Sequence, residues 1–168
     1  QFGERALGVL DKVPGPEALR VRVDTWSGLA AGRTAMGDLN SAVELFEQAL
    51  DGSLRLKEQS SGLADAIDIA GLRCQLGDAL HQLHRFEESE SQLRQALLPL
   101  EQGFPSTQVL LLRANAKRHL GVQYRIQGRL EDALTESREA ASLFQQLLRE
   151  NPGTPHLLSS LNQIEILL

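Results

Sequence analysis

Four short stretches of this chain line up with one another at intervals of 43, 47 and 44 residues: Gly3-Glu4-Arg5-Ala6-Leu7, Phe46-Glu47-Gln48-Ala49-Leu50, Leu93-Arg94-Gln95-Ala96-Leu97 and Ser137-Arg138-Glu139-Ala140-Ala141. Two further series keep the last two intervals: Leu29-Ala30, Leu76-Gly77 and Leu120-Gly121, and Gly37, His84 and Gly128. Three classes of position held in one register define a repeat, and a repeat restricts the fold more than any other feature. A single unit of this size cannot bury its apolar face alone, so successive units must stack into a continuous core.

Each unit reads as two helices joined by a tight turn. Trp26, Leu29, Ala30 and the stem of Arg33 make one apolar face, and Leu39, Ala42, Val43, Phe46, Ala49 and Leu50 make another, both at the 3.6-residue period. Between them stands Met36-Gly37-Asp38, where glycine can take the left-handed conformation that ends a helix and aspartate can cap the next. Gln127-Gly128-Arg129 repeats the device, and His84 takes the glycine's place in the middle unit, histidine being enriched in the left-handed region. Pro14-Gly15-Pro16, Ser60-Ser61-Gly62, Gly103-Phe104-Pro105-Ser106 and Asn151-Pro152-Gly153-Thr154-Pro155 punctuate the units, with Thr154 placed to cap a helix that opens at Pro155. The pattern predicts helices over 2–12, 16–36, 39–59, 63–83, 86–102, 106–127, 130–150 and 155–168.

Composition then removes whole classes of function. A chain of 168 residues, 42% hydrophobic and 23% charged, has the apolar content of a globular domain. Its formal charge of -5 lacks the basic footprint of a nucleic-acid binder. No apolar run approaches the roughly 20 residues of a membrane span. The single cysteine, Cys74, can close no internal disulfide and suits a reducing, cytoplasmic setting. Neither a phosphate-binding glycine loop, a nucleophile elbow nor a paired helical zinc motif has its required spacing, so no enzymatic activity, cofactor or metal is expected.

Trp26, Leu29, Ala30, Gly37, Ala42, Phe46 and Ala49 together resemble the tetratricopeptide repeat pattern. Leu76, Gly77 and Ala96 match it in the next unit, and Leu120, Gly121, Tyr124, Gly128, Ala133 and Ala140 in the one after. The departures are specific. Trp26 is succeeded by Arg73 and Lys117 where the family favours a large apolar residue, and Leu54, Glu101 and Gln145 stand where it favours proline. The units also exceed the family's ~34 residues by roughly ten, which adds about 7–8 Å to each helix. Lengthened units of this kind occur in motor-associated, cell-polarity and bacterial signalling proteins, and Leu147 to Leu158 is similar to linkers in bacterial kinases and regulators that carry such arrays.

The resemblance implies an all-α, right-handed solenoid of antiparallel hairpins over 1–168: the end of a preceding repeat at 1–13, repeats at 14–60, 61–104 and 105–151, and at 152–168 the first helix of a further repeat or a terminal helix. It implies a scaffold that binds a protein or peptide in a concave groove lined by the first helix of each hairpin. Carried over position by position, the lining is Asp24, Ser27, Ala31 and Thr34, then Cys74, Asp78 and His81, then Asn115, Arg118, Val122 and Arg125. Ser27 and Ala31 stand where some family members keep the lysine and asparagine of a carboxylate clamp, so that mode of tail binding is not expected.

Arg118 and Arg125 could grip an acidic segment of the partner, or pair with glutamates of neighbouring helices. Cys74, Asp78 and His81 share a helix face and could be read as metal ligands, although three ligands on one helix seldom converge on an ion, and groove lining is the preferred reading. Glu87, Glu88 and Glu90 read as a solvated face or an acidic docking patch. Neither end carries the polar capping helix of a finished array, so the apolar helix at 155–168 is expected to pack on a missing unit or on another copy. Two alternative roles follow: a regulatory region of a larger bacterial signalling protein (kinase, ATPase or transcription regulator), and self-assembly.

Overall fold

The computed structural model describes residues 13–59, 63–102 and 106–165. Among them, seven helices follow one another without a strand: α1 (Pro16–Ala35), α2 (Leu39–Gln59), α3 (Leu63–Gln82), α4 (Phe86–Gln102), α5 (Thr107–Ile126), α6 (Leu130–Glu150) and α7 (Pro155–Glu165). The expected helix over 2–12, the breaks at 60–62 and 103–105, and the apolar end at 166–168 lie outside the described residues. The chain is an all-α helical repeat and divides into two compact units, Gln1–Ser89 and Glu90–Leu168.

The three turns inside the hairpins share one geometry. Gly37, His84 and Gly128 stand at φ 78°, 60° and 75°, in the left-handed region. The amides of the next residues, Asp38, Arg85 and Arg129, reach back to the carbonyls of Arg33, Leu80 and Tyr124 at 3.0, 2.9 and 2.8 Å, closing each helix with a six-to-one bond. The following helix is then started by a local side-chain contact. Asp38 accepts from the Ser41 amide, and its carboxyl is held below the ordinary value chiefly by Ser41. Arg85 and Arg129 pair instead with Glu88 and Asp132, one turn into α4 and α6.

Helix-to-helix packing follows the repeat register. Ala30, Gly77 and Gly121 are buried on the first helices, and Ala42, Ser89 and Ala133 at the start of the second. Small residues at these levels let the backbones approach. A methyl group on Gly121 would lie 2.5 Å from Ser137 Oγ and 3.3 Å from the Ala133 carbonyl oxygen. In the middle hairpin the Ser89 hydroxyl donates to the Gly77 carbonyl at 2.7 Å.

In the first unit, α1, α2 and α3 share a core that includes Val23, Phe46, Leu50, Leu72 and Leu76, with Trp26 packed against it. Phe46 is 2% exposed, and burying a side chain of that size contributes roughly 2–3 kcal/mol. In the second unit, Leu110, Ala140, Phe144 and Leu147 join Leu157 and Ile164 of α7 in one cluster.

Two features of α7 differ from expectation. The Thr154 hydroxyl donates to the Asn151 carbonyl at 3.1 Å, and it is the Thr154 carbonyl that takes the Leu157 amide. A hydroxyl engaged in the preceding turn is turned away from the helix it was expected to cap. α7, expected to lack a partner within the chain, packs on α6 and buries Leu157 and Ile164 there, as each helix of a stacked repeat does with its predecessor. Leu158 is left 49% exposed.

Candidate functional site

On the first helix of each hairpin, packing consumes the residues that face the second helix and leaves a stripe at spacings of three and four. In the first unit, α1 presents Asp24, Ser27, Ala31 and Thr34. Asp24 and Ala31 are exposed, and Ser27 and Thr34 half-buried. The Thr34 hydroxyl donates to the Ala30 carbonyl one turn back at 3.0 Å. α3 lies beside α1, tied by an Arg20–Asp65 contact of 3.9 Å as well as by the shared core.

On α3, Cys74 is buried, and burial pushes its thiol up to about 12. Asp78 accepts from Gln82 at 3.0 Å, and the His81 ring tilts against Phe86 at 5.5 Å. Among the described residues no three His, Cys, Asp or Glu gather as a metal site.

In the second unit, α5 presents Asn115, Arg118, Val122 and Arg125, the first three half-buried and Arg125 exposed. Arg118 donates to the His119 ring. Between Thr107 and Ile126 there is no acidic residue, while Arg113, Lys117, Arg118 and Arg125 are cationic. Lys117 points away from this stripe. Its ammonium meets Glu139 at 2.8 Å, Glu136 at 3.2 Å and Glu101 at 3.8 Å. Burial pulls its pKa down, but Glu139 and Glu136 outweigh that and hold it above the ordinary lysine value.

Sequence reasoning missed what surrounds Lys117. The Tyr124 hydroxyl donates to Glu90 and accepts from Arg94, both at 2.6 Å. Arg129 caps this knot, its guanidinium 3.9 Å above the Tyr124 ring and 3.0 Å from the second Glu90 oxygen. Arg94 reaches on to Glu136 at 4.0 Å, which joins the knot to Lys117. Glu90 therefore departs from the solvated-face and docking-patch readings of 87–90. Glu87 and Glu88 are exposed, but Glu90 is turned inward and held by three cationic or phenolic donors. One member alone was signalled: Lys117 falls in the register of Trp26, a core position where a charge needs partners, although nothing in the sequence says which.

A family model matches within the middle hairpin, α3 with α4. Residues 70–98 match the family model of the tetratricopeptide repeat. They form a tetratricopeptide repeat. Its landmarks are the residues described above: Leu76 and Gly77 in α3, the left-handed turn at His84, and Ser89, Leu93 and Ala96 in α4, all buried except the turn. A tetratricopeptide repeat is in general a protein-interaction unit rather than a catalytic one.

Among solved structures, the crystal structure of BtubC (BKLC) from P. vanneervenii is similar to 93% of this chain, with a TM-score of 0.66 and 21% sequence identity. At that identity the likeness shows the fold, here a helical repeat. The chain spans 59% of the length of that structure. No curated protein matches the sequence. No helix among the described residues is long and apolar enough to cross a membrane.

Proposed function

We propose that this chain is a partner-binding scaffold and that α5 receives an acidic segment of another protein or peptide. One observation carries the reading: α5 is cationic without a single acidic residue, and its buried cation, Lys117, is neutralised by glutamates while Arg118 and Arg125 lie on a separate stripe about a quarter-turn away. Seven residues apart, their Cα atoms are separated by about 10 Å along the helix axis. Two carboxylates three residues apart on a polyproline II chain share one face at about 9 Å, close to that spacing. Asn115 adds a neutral amide to the stripe, and Val122 an apolar contact between the two arginines. In the first unit, Asp24, Ser27 and Thr34 with Asp78 and His81 form a neutral-to-acidic lining, suited to an uncharged or basic stretch of a ligand, while Cys74, expected in this lining, is buried beneath it.

The test is affinity capture from lysate of the source cells with the wild-type chain and an Arg118→Glu/Arg125→Glu variant, both checked for native circular dichroism. A protein retained by the first and lost by the second supports the reading. Identical retention by both sinks it.

A second reading, self-association through 155–168, is favoured by the exposed Leu158 on α7. Leu158→Glu would then abolish a concentration-dependent rise in mass measured by light scattering; a mass that never rises excludes it.

A further inference from the structure

The repeat supplies its own control, because a residue that only packs or caps should recur at the same level of each hairpin. Along the outer stripe of α5 that recurrence fails. Arg118 stands at the level of Ser27 and Cys74, Val122 at that of Ala31 and Asp78, Arg125 at that of Thr34 and His81, and Ile126 at that of Ala35 and Gln82. The third hairpin thus combines arginines with bulky aliphatics where the first two have neither. Packing does not account for the aliphatics. Ile126 is 54% exposed, and Leu130, which opens α6 across the Gly128 turn, is 67% exposed. Leu39 and Phe86, at the level of Leu130, are half-buried, Phe86 against the rings of His81 and His84. Val122 lies one helical turn before Ile126 on the same face, so the two form an apolar ridge that leads to the turn. Arg125 is exposed beside it and forms no ion pair among the described residues. Met36 is exposed at the first turn too, but the arginine three residues before it, Arg33, is held by Asp38.

We infer that the ligand of α5 seats a carboxylate on Arg125 and, beside it, a bulky apolar side chain on Val122, Ile126 and Leu130, so that Ile126 is a specificity-determining residue; this rests on the acidic-segment reading above and adds the neighbour that the acid must have. Neighbouring aliphatics left in water next to an exposed cation mark a contact surface of mixed chemistry. A purely acidic segment would leave the ridge in water, and a purely apolar one would desolvate Arg125 without giving it a partner. Arg125 and Ile126 are successive residues, about 1.5 Å apart in height and about 100° apart around the helix axis. The ligand therefore carries its acid and its apolar residue on different sides of its own chain, as successive residues of a polyproline II or extended segment do.

A random-peptide library displayed on phage and selected on the whole chain tests this, with an Ile126→Gln/Leu130→Gln variant selected in parallel. Both side chains are exposed, and glutamine is what the middle hairpin keeps at the level of Ile126, so the fold is preserved. Peptides retained by the wild type should carry an acidic residue next to a bulky apolar one, and the variant should keep the preference for the acid while losing that for its neighbour. By fluorescence polarisation, the peptide most enriched on the wild type should bind the variant roughly tenfold more weakly. Acidic peptides without an apolar preference, or the same apolar preference on the variant, would overturn this inference and leave the acidic-segment reading standing. Enrichment without an acidic residue, or no enrichment at all, would overturn both.

Discussion

Gly121 and Gly32 are both helical glycines, and replacing each by alanine should move stability in opposite directions. At Gly121 the new methyl would lie 2.5 Å from Ser137 Oγ, 3.3 Å from the Ala133 carbonyl oxygen and 3.3 Å from the Ser137 nitrogen. The hydroxyl can rotate, but the other two atoms belong to the backbone of α6 and can yield only if the helices part. Such overpacking costs about 1–3 kcal/mol, against a gain of about 0.5–1 kcal/mol from the better helix propensity of alanine. The net loss is about 1–2 kcal/mol, or ~3–6 °C in melting temperature for a chain of this length.

At Gly32, on the exposed side of α1, a methyl meets nothing within 4 Å. Only the propensity gain of about 0.5–1 kcal/mol remains. Urea denaturation can assign the effects to their units, because the single tryptophan, Trp26, lies in the first and the single tyrosine, Tyr124, in the second. Ser137→Ala, by removing the nearest clashing atom, should restore part of the loss at Gly121. If both glycine variants shift stability in the same direction, the close approach of α5 and α6 is wrong.

Four further outcomes follow from the buried groups. Burial and the Glu90 bond raise the Tyr124 phenol to about 12, so its contribution is intact below the ordinary value of 10.0 and is lost as pH rises from there toward 12; phenolate absorbance should appear only beyond pH 10, and a midpoint at the ordinary value would refute the knot. Glu90 is held below its ordinary 4.5 despite burial, by Tyr124, Arg94 and Arg129, so its contribution is present above that value and fades as pH falls below it, which urea midpoints across acidic pH would measure. Lys117→Met leaves Glu136, 12% exposed, without its main counter-charge and should cost about 2–3 kcal/mol, below the full penalty of a broken buried pair because Glu139 and Glu101 can turn to water; a neutral result would mean the ion cluster is not formed. Cys74, buried and with its thiol raised to about 12, should resist iodoacetamide at neutral pH until the chain unfolds, and rapid labelling of the native protein would contradict its placement.

What was legible in the sequence was whatever depends on period and on local backbone chemistry. Gly37, His84 and Gly128 announced three equivalent turns, and among the described residues the helices start and stop within about a residue of the expected positions, the expected end at 168 lying outside them. The small residues at the level of Ala30, Gly77 and Gly121 marked the close approaches. The ladder was not legible, because Glu90, Lys117, Tyr124, Arg129 and Glu136 come from three helices and a turn, and their distances depend on side-chain reach that no spacing rule supplies. Thr154 failed for a related reason: its hydroxyl has two competing backbone partners, and the Asn151 carbonyl wins. The stripe residues were placed on their helices correctly by register, but only the structure shows that Lys117 turns inward while Arg125 stays exposed.

The most direct test of partner binding on α5 is a photocrosslinking amino acid placed at Val122, between the two stripe arginines, and in a control protein at Ser142, an exposed position of α6. With a partner recovered by affinity capture, the scaffold reading predicts that Val122 crosslinks to an acidic segment of that partner and that Ser142 gives no adduct there. Equal crosslinking from the two positions, or crosslinking from Ser142 alone, would contradict it.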